Sequence, residues 1–290
     1  MKVLVTGATG FVGPRVVHAL RAHEHDVRCL VRDRRRARTL ETWGCELVTG
    51  DVTEAATLGP AVEGVDAVVH LVSIIAGPPE AFERVMIKGT RSLVAAARGR
   101  FVLMSALGVS EETMDLVPYY HAKWEMERAV RESGLDHVIF RPSFVFGHGG
   151  VLPLFMRQVR WSPVVPVVGD GRTRLQPIWV DDVAEFFAAG VESDAASGRT
   201  FDLGGPDAVT WDELYARIRR VLGVRRATVH VPFGLVRPAA ALAERLPHTP
   251  ITRDQLTMLA AGDNVCDTGP ARETLGIDPI GLDEQLRRAA

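Results

Sequence analysis

Met1-Lys-Val-Leu-Val-Thr-Gly-Ala-Thr-Gly-Phe-Val-Gly13 opens the chain, and its reading decides the fold. A β-branched run, Val3 to Val5, enters a turn with glycines at 7, 10 and 13. The residues that follow, Arg15 to Ala22, carry Val16, Val17 and Leu20 at helical spacing, which predicts a helix. Strand, glycine turn and helix in that order predict a cradle for the pyrophosphate of a dinucleotide. Gly7 permits the tight turn, Gly10 lets the backbone approach the phosphates, and Gly13 lets the helix pack close to the strand. The helix N-terminus adds free N–H groups and the positive end of its dipole. Thr9, Phe11 and Val12 fall inside the same cradle.

Outward from that turn, strand and helix signals alternate. Strands are predicted at 26–31, 46–49, 67–72, 100–104 and 138–140, with helices at 37–43, 55–62, 79–97 and 119–133 between them. Continuous apolar strands alternating with helices imply a parallel sheet covered on both faces. The pattern changes near residue 146, where a stretch rich in Gly, Pro and Val begins. Gln176 to Val180 and Thr200 to Leu203 return as strands, and Thr210-Trp-Asp-Glu213 has capping-box spacing. The expectation is an α/β fold, a doubly wound parallel sheet with a smaller C-terminal substrate lobe. Its boundaries are read as a dinucleotide-binding core over 1–146, completed by 171–205, with 147–170 and 206–290 forming the lobe.

Composition bounds the function. The chain has 290 residues, 47% hydrophobic and 24% charged, with a net charge of −2, which argues against a nucleic-acid partner. Cys29, Cys45 and Cys266 are scattered and the nine histidines do not cluster, so no metal site is expected. His23 and His25 are read as solvated loop residues. A strand starting at residue 2 leaves no room for a leader, and no apolar run reaches the length of a membrane span, so a cytoplasmic protein is expected.

Ligands of such sheets lie beyond the carboxyl ends of the strands. The positions to read are therefore Gly7 to Gly13, Arg32, Asp51-Val52, Leu71-Val72-Ser73, Ser105-Ala106 and Arg141-Pro142-Ser143-Phe144. Asp33 lies twenty residues past Gly13, where a carboxylate holds the ribose 2′-OH of NAD. Arg32 precedes it, and Arg34, Arg35, Arg36 and Arg38 surround it; a guanidinium fork matches a 2′-phosphate. The charge balance favours NADP, with NAD as the alternative. Asp51 reads equally as an acceptor for the adenine amino group, beside the Val52 N–H, or as a helix cap.

Tyr119 and Lys123 are four apart and share a helix face, and Pro118 suits a first helical turn. The helix end and the ammonium both favour phenolate, so a lowered Tyr119 pKa is expected. Such a phenol exchanges a proton with a hydroxyl or carbonyl while nicotinamide exchanges hydride. Ser105 is placed to bond the same oxygen. A Tyr–Lys pair alone is commonly structural, and Tyr120, one position out of register, reads as packing.

Together these residues resemble the extended short-chain dehydrogenase/reductase superfamily. The likeness rests on Thr6 to Gly13, Gly50-Asp-Val52, Lys88-Gly-Thr90, Ser105, Tyr119-x-x-x-Lys123, Arg141 to Gly147 and Trp179 to Ala184. It implies a Rossmann core, that Lys123 also bonds the nicotinamide ribose, and that Pro142, Ser143 and Phe144 lie beside the nicotinamide. Leu203-Gly-Gly-Pro206, Thr210 to Glu213 and Thr252 to Val265 are similar to the branch holding the alpha-subcomplex accessory subunit nine of NADH:ubiquinone oxidoreductase. That likeness implies a nicotinamide-binding protein in assembly or structure. One departure stands out: many extended members carry Asn where this chain has Met86. Two readings follow. One is an NADP(H)-dependent oxidoreductase or epimerase with Tyr119 as acid/base, acting on an unidentified small molecule. The other is a non-catalytic accessory or assembly factor of a respiratory NADH:quinone oxidoreductase, in contact with that complex or peripheral to the inner membrane. An apolar outer face on 232–262 would suit the second; for the apolar stretch Phe233 to Leu246, burial in the lobe's own core is the favoured account.

Overall fold

Apolar runs become parallel strands here because helices cover them on both sides. The computed structural model describes residues 1–243 and 252–290. β1 (Lys2–Thr6), β2 (Asp26–Val31), β3 (Glu46–Thr49), β4 (Ala67–His70), β5 (Arg100–Met104) and β6 (His137–Pro142) form one seven-stranded sheet with an edge strand, Arg199–Leu203. From that edge the order is β6, β5, β4, β1, β2, β3, and every neighbouring pair is parallel. Parallel neighbours need long crossovers, which the helices supply. The chain runs from β1 outward to β3, then returns to β4 on the other side of β1. The order reverses there, with Thr6 opposite His70. Such a reversal opens a crevice beyond the carboxyl ends of the strands. The doubly wound sheet is thus as predicted.

Val3, Leu4, Val5, Phe101, Val102 and Leu103 are wholly inaccessible. At about 1.5–3 kcal/mol for each large apolar side chain buried, the middle strands anchor the crevice firmly. The helix Gly13–Ala22 buries Val16, Val17 and Leu20 and packs on the helix Val180–Glu192. The loop after it is not solvated as expected. His25 is 4% exposed, and His23 meets Glu185 at 3.1 Å and Glu192 at 3.2 Å. These carboxylates belong to the packed helix, so the histidines help to dock it.

The single helix expected over 79–97 is three pieces: an α-turn Pro79–Phe82, a π-helical turn Glu83–Lys88 and an α-helix Gly89–Ala96. Gly89 lies so close to the loop after β3 that an added Cβ would stand 2.9 Å from Val52 Cγ2.

Contacts divide the chain into two units. The first comprises 1–142, 180–203 and 267–278; the second comprises 143–179, 204–266 and 279–290. The core expected over 1–146 and 171–205 has 1–142 and 180–203 as its first two segments by contacts. Residues 267–278, expected in the lobe, belong to the first unit because the helix Gly269–Leu275 packs on the edge strand. Within the second unit, three short ladders pair Val145–Phe146 with Ile178–Trp179, Arg174–Leu175 with Val209–Thr210, and Val164–Val168 with Ala227–Val231. Thr210 and Glu213 make the capping box of the helix Trp211–Leu222. Of the apolar stretch expected from Phe233 to Leu246, the helix Phe233–Ala243 is described and residues 244–251 lie outside the described residues.

Candidate active site

The glycine turn has the geometry of a cradle. Gly7 takes φ +79°, a left-handed conformation that suits glycine, and a Cβ there would stand 3.0 Å from the Leu71 carbonyl carbon and the Val72 nitrogen. The turns after β1 and β4 therefore touch backbone to backbone. A Cβ on Gly13 would strike the Gly7 carbonyl oxygen and stand 2.6 Å from the Ala8 carbonyl carbon. Gly10 meets only the Gly7 oxygen, at 3.3 Å, and donates its N–H to that oxygen at 3.0 Å. Thr9 and Gly10 are exposed, Phe11 is half-buried and Val12 is buried. Among the described residues no side chain caps the helix at Val12; Pro14 has no N–H and the Arg15 N–H turns back to the Val12 carbonyl at 3.1 Å, which leaves the Gly13 N–H of the first turn to an outside acceptor. The cradle fits a diphosphate.

At the end of β2 the arginine cluster divides. Arg34 donates to the Leu47 carbonyl at 3.0 Å and to Glu41 at 2.9 Å, and Arg35 folds back on Asp33. Asp33 accepts the Arg35 backbone N–H at 2.9 Å and so starts the short helix Arg34–Ala37. The Arg32 side chain stays 80% exposed, its guanidinium 3.9 Å from Asp51 Oδ2. Asp51 Oδ1 accepts the Thr53 N–H and hydroxyl, each at 2.9 Å. Asp51 thus shapes its own turn with one oxygen and faces Arg32 with the other. Val52 is buried under Gly89.

The chemistry-bearing groups gather after β4 and β5. Pro118 opens the helix Pro118–Arg131, so Tyr119 and Lys123 lie on one face, with the Lys123 ammonium 5.8 Å from the Tyr119 ring centre. Lys123 is 1% exposed and donates to the Met104 carbonyl at 2.6 Å. Ser105, the next residue, is 2% exposed, and its hydroxyl has no hydrogen-bond partner among the described residues. A buried hydroxyl without a partner is costly, and a ligand oxygen would relieve it. Tyr120 is buried and packs at 6.0 Å from the Tyr119 ring, as expected of a core residue.

Electrostatics correct one expectation. Tyr119 keeps some side-chain exposure, but its hydroxyl is walled in, and burial pushes it up to about 12 rather than down. A hydrogen bond with the Ser73 side chain works the other way. Burial also pushes Lys123 down to about 7, against the pull of the Glu127 carboxylate one helical turn on. Desolvation outweighs local charge at both groups.

Behind them lies a group that motif reading missed. His70, at the end of β4, is fully buried. The Thr90 hydroxyl donates to the Met86 carbonyl at 2.5 Å, so it accepts from His70 Nε2–H at 3.0 Å. His70 Nδ1 then accepts from the Thr6 hydroxyl at 2.6 Å. Burial, helped by the Lys123 charge, holds the imidazole down at about 3, so it is neutral. The one available signal was a lone polar residue inside the apolar run Ala67-Val-Val-His-Leu-Val72. Met86 itself is wholly buried. Pro142 ends the first segment of the first unit. In the second unit the Ser143 hydroxyl donates to Asn264 Oδ1 at 2.7 Å, and Phe144 packs edge-on to Trp211 at 5.7 Å.

Comparison with known proteins agrees with this geometry. A family model described as NAD(P)H-binding matches residues 7–150, and one described as the RmlD substrate binding domain matches residues 108–254. The ceramide reductase of Caulobacter vibrioides is 30% identical, over 95% of this chain and 84% of that protein. The photosystem II assembly factor Ycf39 of Synechocystis is 29% identical, over 96% of this chain and 86% of its own. Subunit 9 of the NADH dehydrogenase [ubiquinone] 1 alpha subcomplex of Rattus norvegicus is 28% identical, over 98% and 79%. Among solved structures, that of gox2253 superposes with a TM-score of 0.79 at 25% identity, covering 99% of this chain and 96% of that one. A UDP-glucuronic acid 4-epimerase of Bacillus cereus, in complex with UDP-glucuronic acid and NAD, superposes at 0.76 over 100% and 98%, with 19% identity.

Proposed function

This chain belongs to the NAD(P)-binding extended short-chain dehydrogenase/reductase family, and from that premise we propose that it is an NADP(H)-dependent oxidoreductase or epimerase acting on a hydroxyl or carbonyl group. The observation that carries the reading is the partnerless Ser105 hydroxyl, next to the carbonyl that fixes Lys123. Gly7 to Gly13 hold the diphosphate, Leu71 and Val72 flank it, and Asp51 and Val52 meet the adenine end. Exposed Arg32 supports a 2′-phosphate and hence NADP over NAD. The bound nicotinamide supplies or accepts a hydride. Ser105 donates a hydrogen bond to the substrate oxygen. Tyr119, neutral at physiological pH, gives that oxygen its proton in reduction and takes it back in oxidation. Ser73 supports the phenolate left behind. Lys123, held near neutrality, carries charge when phenolate needs it and can return a proton.

A second reading is a nicotinamide-binding accessory or assembly factor. It is favoured by Met86, an apolar side chain where many extended relatives place Asn, and by the naming of two relatives as an assembly factor and a respiratory subunit. Tyr119→Phe decides between the two. With wild-type protein, NADPH should raise the melting temperature and be oxidised in the presence of some member of an aldehyde and ketone panel. The variant should keep the thermal shift and lose on the order of 100- to 10,000-fold in turnover. Wild-type protein that binds NADPH but turns over nothing, or a variant as active as wild type, removes the catalytic reading.

A further inference from the structure

We propose that the second unit carries a docking surface for an anionic lipid membrane, built on the outer face of the Val164–Val168/Ala227–Val231 ladder. The inference is independent of the nicotinamide reading. Register places Ala227 opposite Val164 and Val229 opposite Pro166. All four are exposed, whereas Val165 and Val167 point inward and are buried. One side of this small sheet is therefore apolar and uncovered by the described residues. Trp161, the last residue of the helix leading into the ladder, is 76% exposed. An exposed indole beside valine and proline suits the boundary between headgroups and acyl chains, where an amphipathic ring rests with one side apolar and one wet.

Charge selects the occupant. Segments 153–168 and 216–229 contain seven arginines and no Asp or Glu. Arg217 is committed inward to Asp207 and Asp283. Arg219 donates to the Thr228 hydroxyl and Arg226 to the Arg160 carbonyl, both neutral acceptors. Arg157, Arg160, Arg220 and Arg225 are exposed and form no ion pair among the described residues. Gly223 ends the helix Trp211–Leu222 in a left-handed turn at φ +65°, and that reversal brings Arg225 and Arg226 to the start of the strand. Of the two acids that open the helix Trp211–Leu222, Asp212 is held by His230 at 3.0 Å and Glu213 accepts the Thr210 N–H in the capping box. Apolar centre and arginine rim together match phospholipid headgroups of negative charge, and guanidinium groups pair readily with phosphate. Among the described residues no helix is long and apolar enough to cross a membrane, so the contact is one of surface docking.

Vesicle co-sedimentation tests this. The full chain should bind vesicles of phosphatidylcholine with phosphatidylglycerol, bind pure phosphatidylcholine weakly, and release as salt is raised. Arg225→Ala with Arg226→Ala should weaken partition roughly thirtyfold, from about 1 kcal/mol per arginine. Trp161→Ser should weaken it independently of salt. Both variants should keep the wild-type melting temperature and any NADPH-induced shift, which separates this surface from the nucleotide site. Failure of wild-type protein to bind anionic vesicles, equal binding to both vesicle types, or variants that bind like wild type would each overturn the proposal. Saturable binding to poly-glutamate without vesicle binding would reassign the arginines to an acidic protein.

Discussion

Gly13 has no room for a side chain, whereas Gly10 needs only a few tenths of an ångström of give from the Gly7 oxygen. A methyl group at Gly13 collides with the backbone of Gly7 and Ala8, none of which can yield without opening the turn. A methyl group at Gly10 meets only the Gly7 oxygen at 3.3 Å and otherwise points into open space, where a phosphate would come. Gly13→Ala should therefore lower the melting temperature by itself. Gly10→Ala should melt only slightly below wild type, and well above Gly13→Ala, yet lose most of the thermal shift with NADPH. A Gly10→Ala variant that keeps the full NADPH shift would mean that Gly10 plays no part in ligand approach. Arg32 supports a second separation at the same scale. A charge-assisted bond to phosphate contributes about 1.5–3 kcal/mol, so Arg32→Ala should weaken NADPH binding by on the order of 10- to 100-fold and leave NADH nearly unchanged. Titration of both nucleotides checks it, and a wild-type preference for NADH would reverse the assignment of Arg32.

At the scale of elements, three segments meet at His70. Thr6 ends β1, His70 ends β4 and Met86 lies in the π-helical turn, where its carbonyl accepts both the Gly89 N–H and the Thr90 hydroxyl. A neutral imidazole is the one state that accepts at Nδ1 and donates at Nε2, so protonation breaks the chain. The folded value near 3 lies below the ordinary 6.5. The unfolded chain binds the extra proton between those limits, so stability rises with pH across that window and is lost on acidification. Wild-type protein should lose about 1.4 kcal/mol per pH unit more than His70→Gln in that range, read from urea midpoints; parallel curves for the two proteins would count against a buried neutral His70. None of this could be read from motifs. β2, β3 and β5 were legible to the residue because each holds a short apolar run, Cys29 to Val31, Leu47-Val48 and Phe101 to Met104, bounded by polar or turn residues, and the Thr210–Glu213 capping box because its signal is local. The π-turn was not, since apolar spacing does not distinguish a slightly wider helix from an ordinary one. The rise in the Tyr119 pKa was not legible either. Sequence shows the charges near a group, but burial, which outweighed them here, depends on what packs around it.

The whole molecule joins two units of different character. In the first, a seven-stranded sheet buries its central strands completely. In the second, ladders of two strands hold together through helices and side-chain bonds such as Ser143 to Asn264. The second unit was harder to foresee because most of its strands, such as Val145–Phe146 and Arg174–Leu175, are only two residues long, too short for an apolar run to mark them. The return of 267–278 to the first unit was hidden because it rests on a packing contact, that of the helix Gly269–Leu275 on the edge strand, which has no local signal. By the assignment argued above, all candidate nucleotide residues except Ser143 and Phe144 belong to the first unit. Ligand that binds only the folded state stabilises it by mass action, about 2.7 kcal/mol at a hundredfold excess over Kd. For a domain of this size that corresponds to a melting shift of roughly 5–10 °C. The stabilisation should appear first where the ligand binds. Hydrogen exchange with saturating NADPH should slow most in β1, β4 and the 7–13 turn, and least in the Val164–Val168 and Ala227–Val231 strands. Exchange that slows equally in both units would show that they open together, and exchange that does not slow in the glycine turn would remove the nucleotide from it.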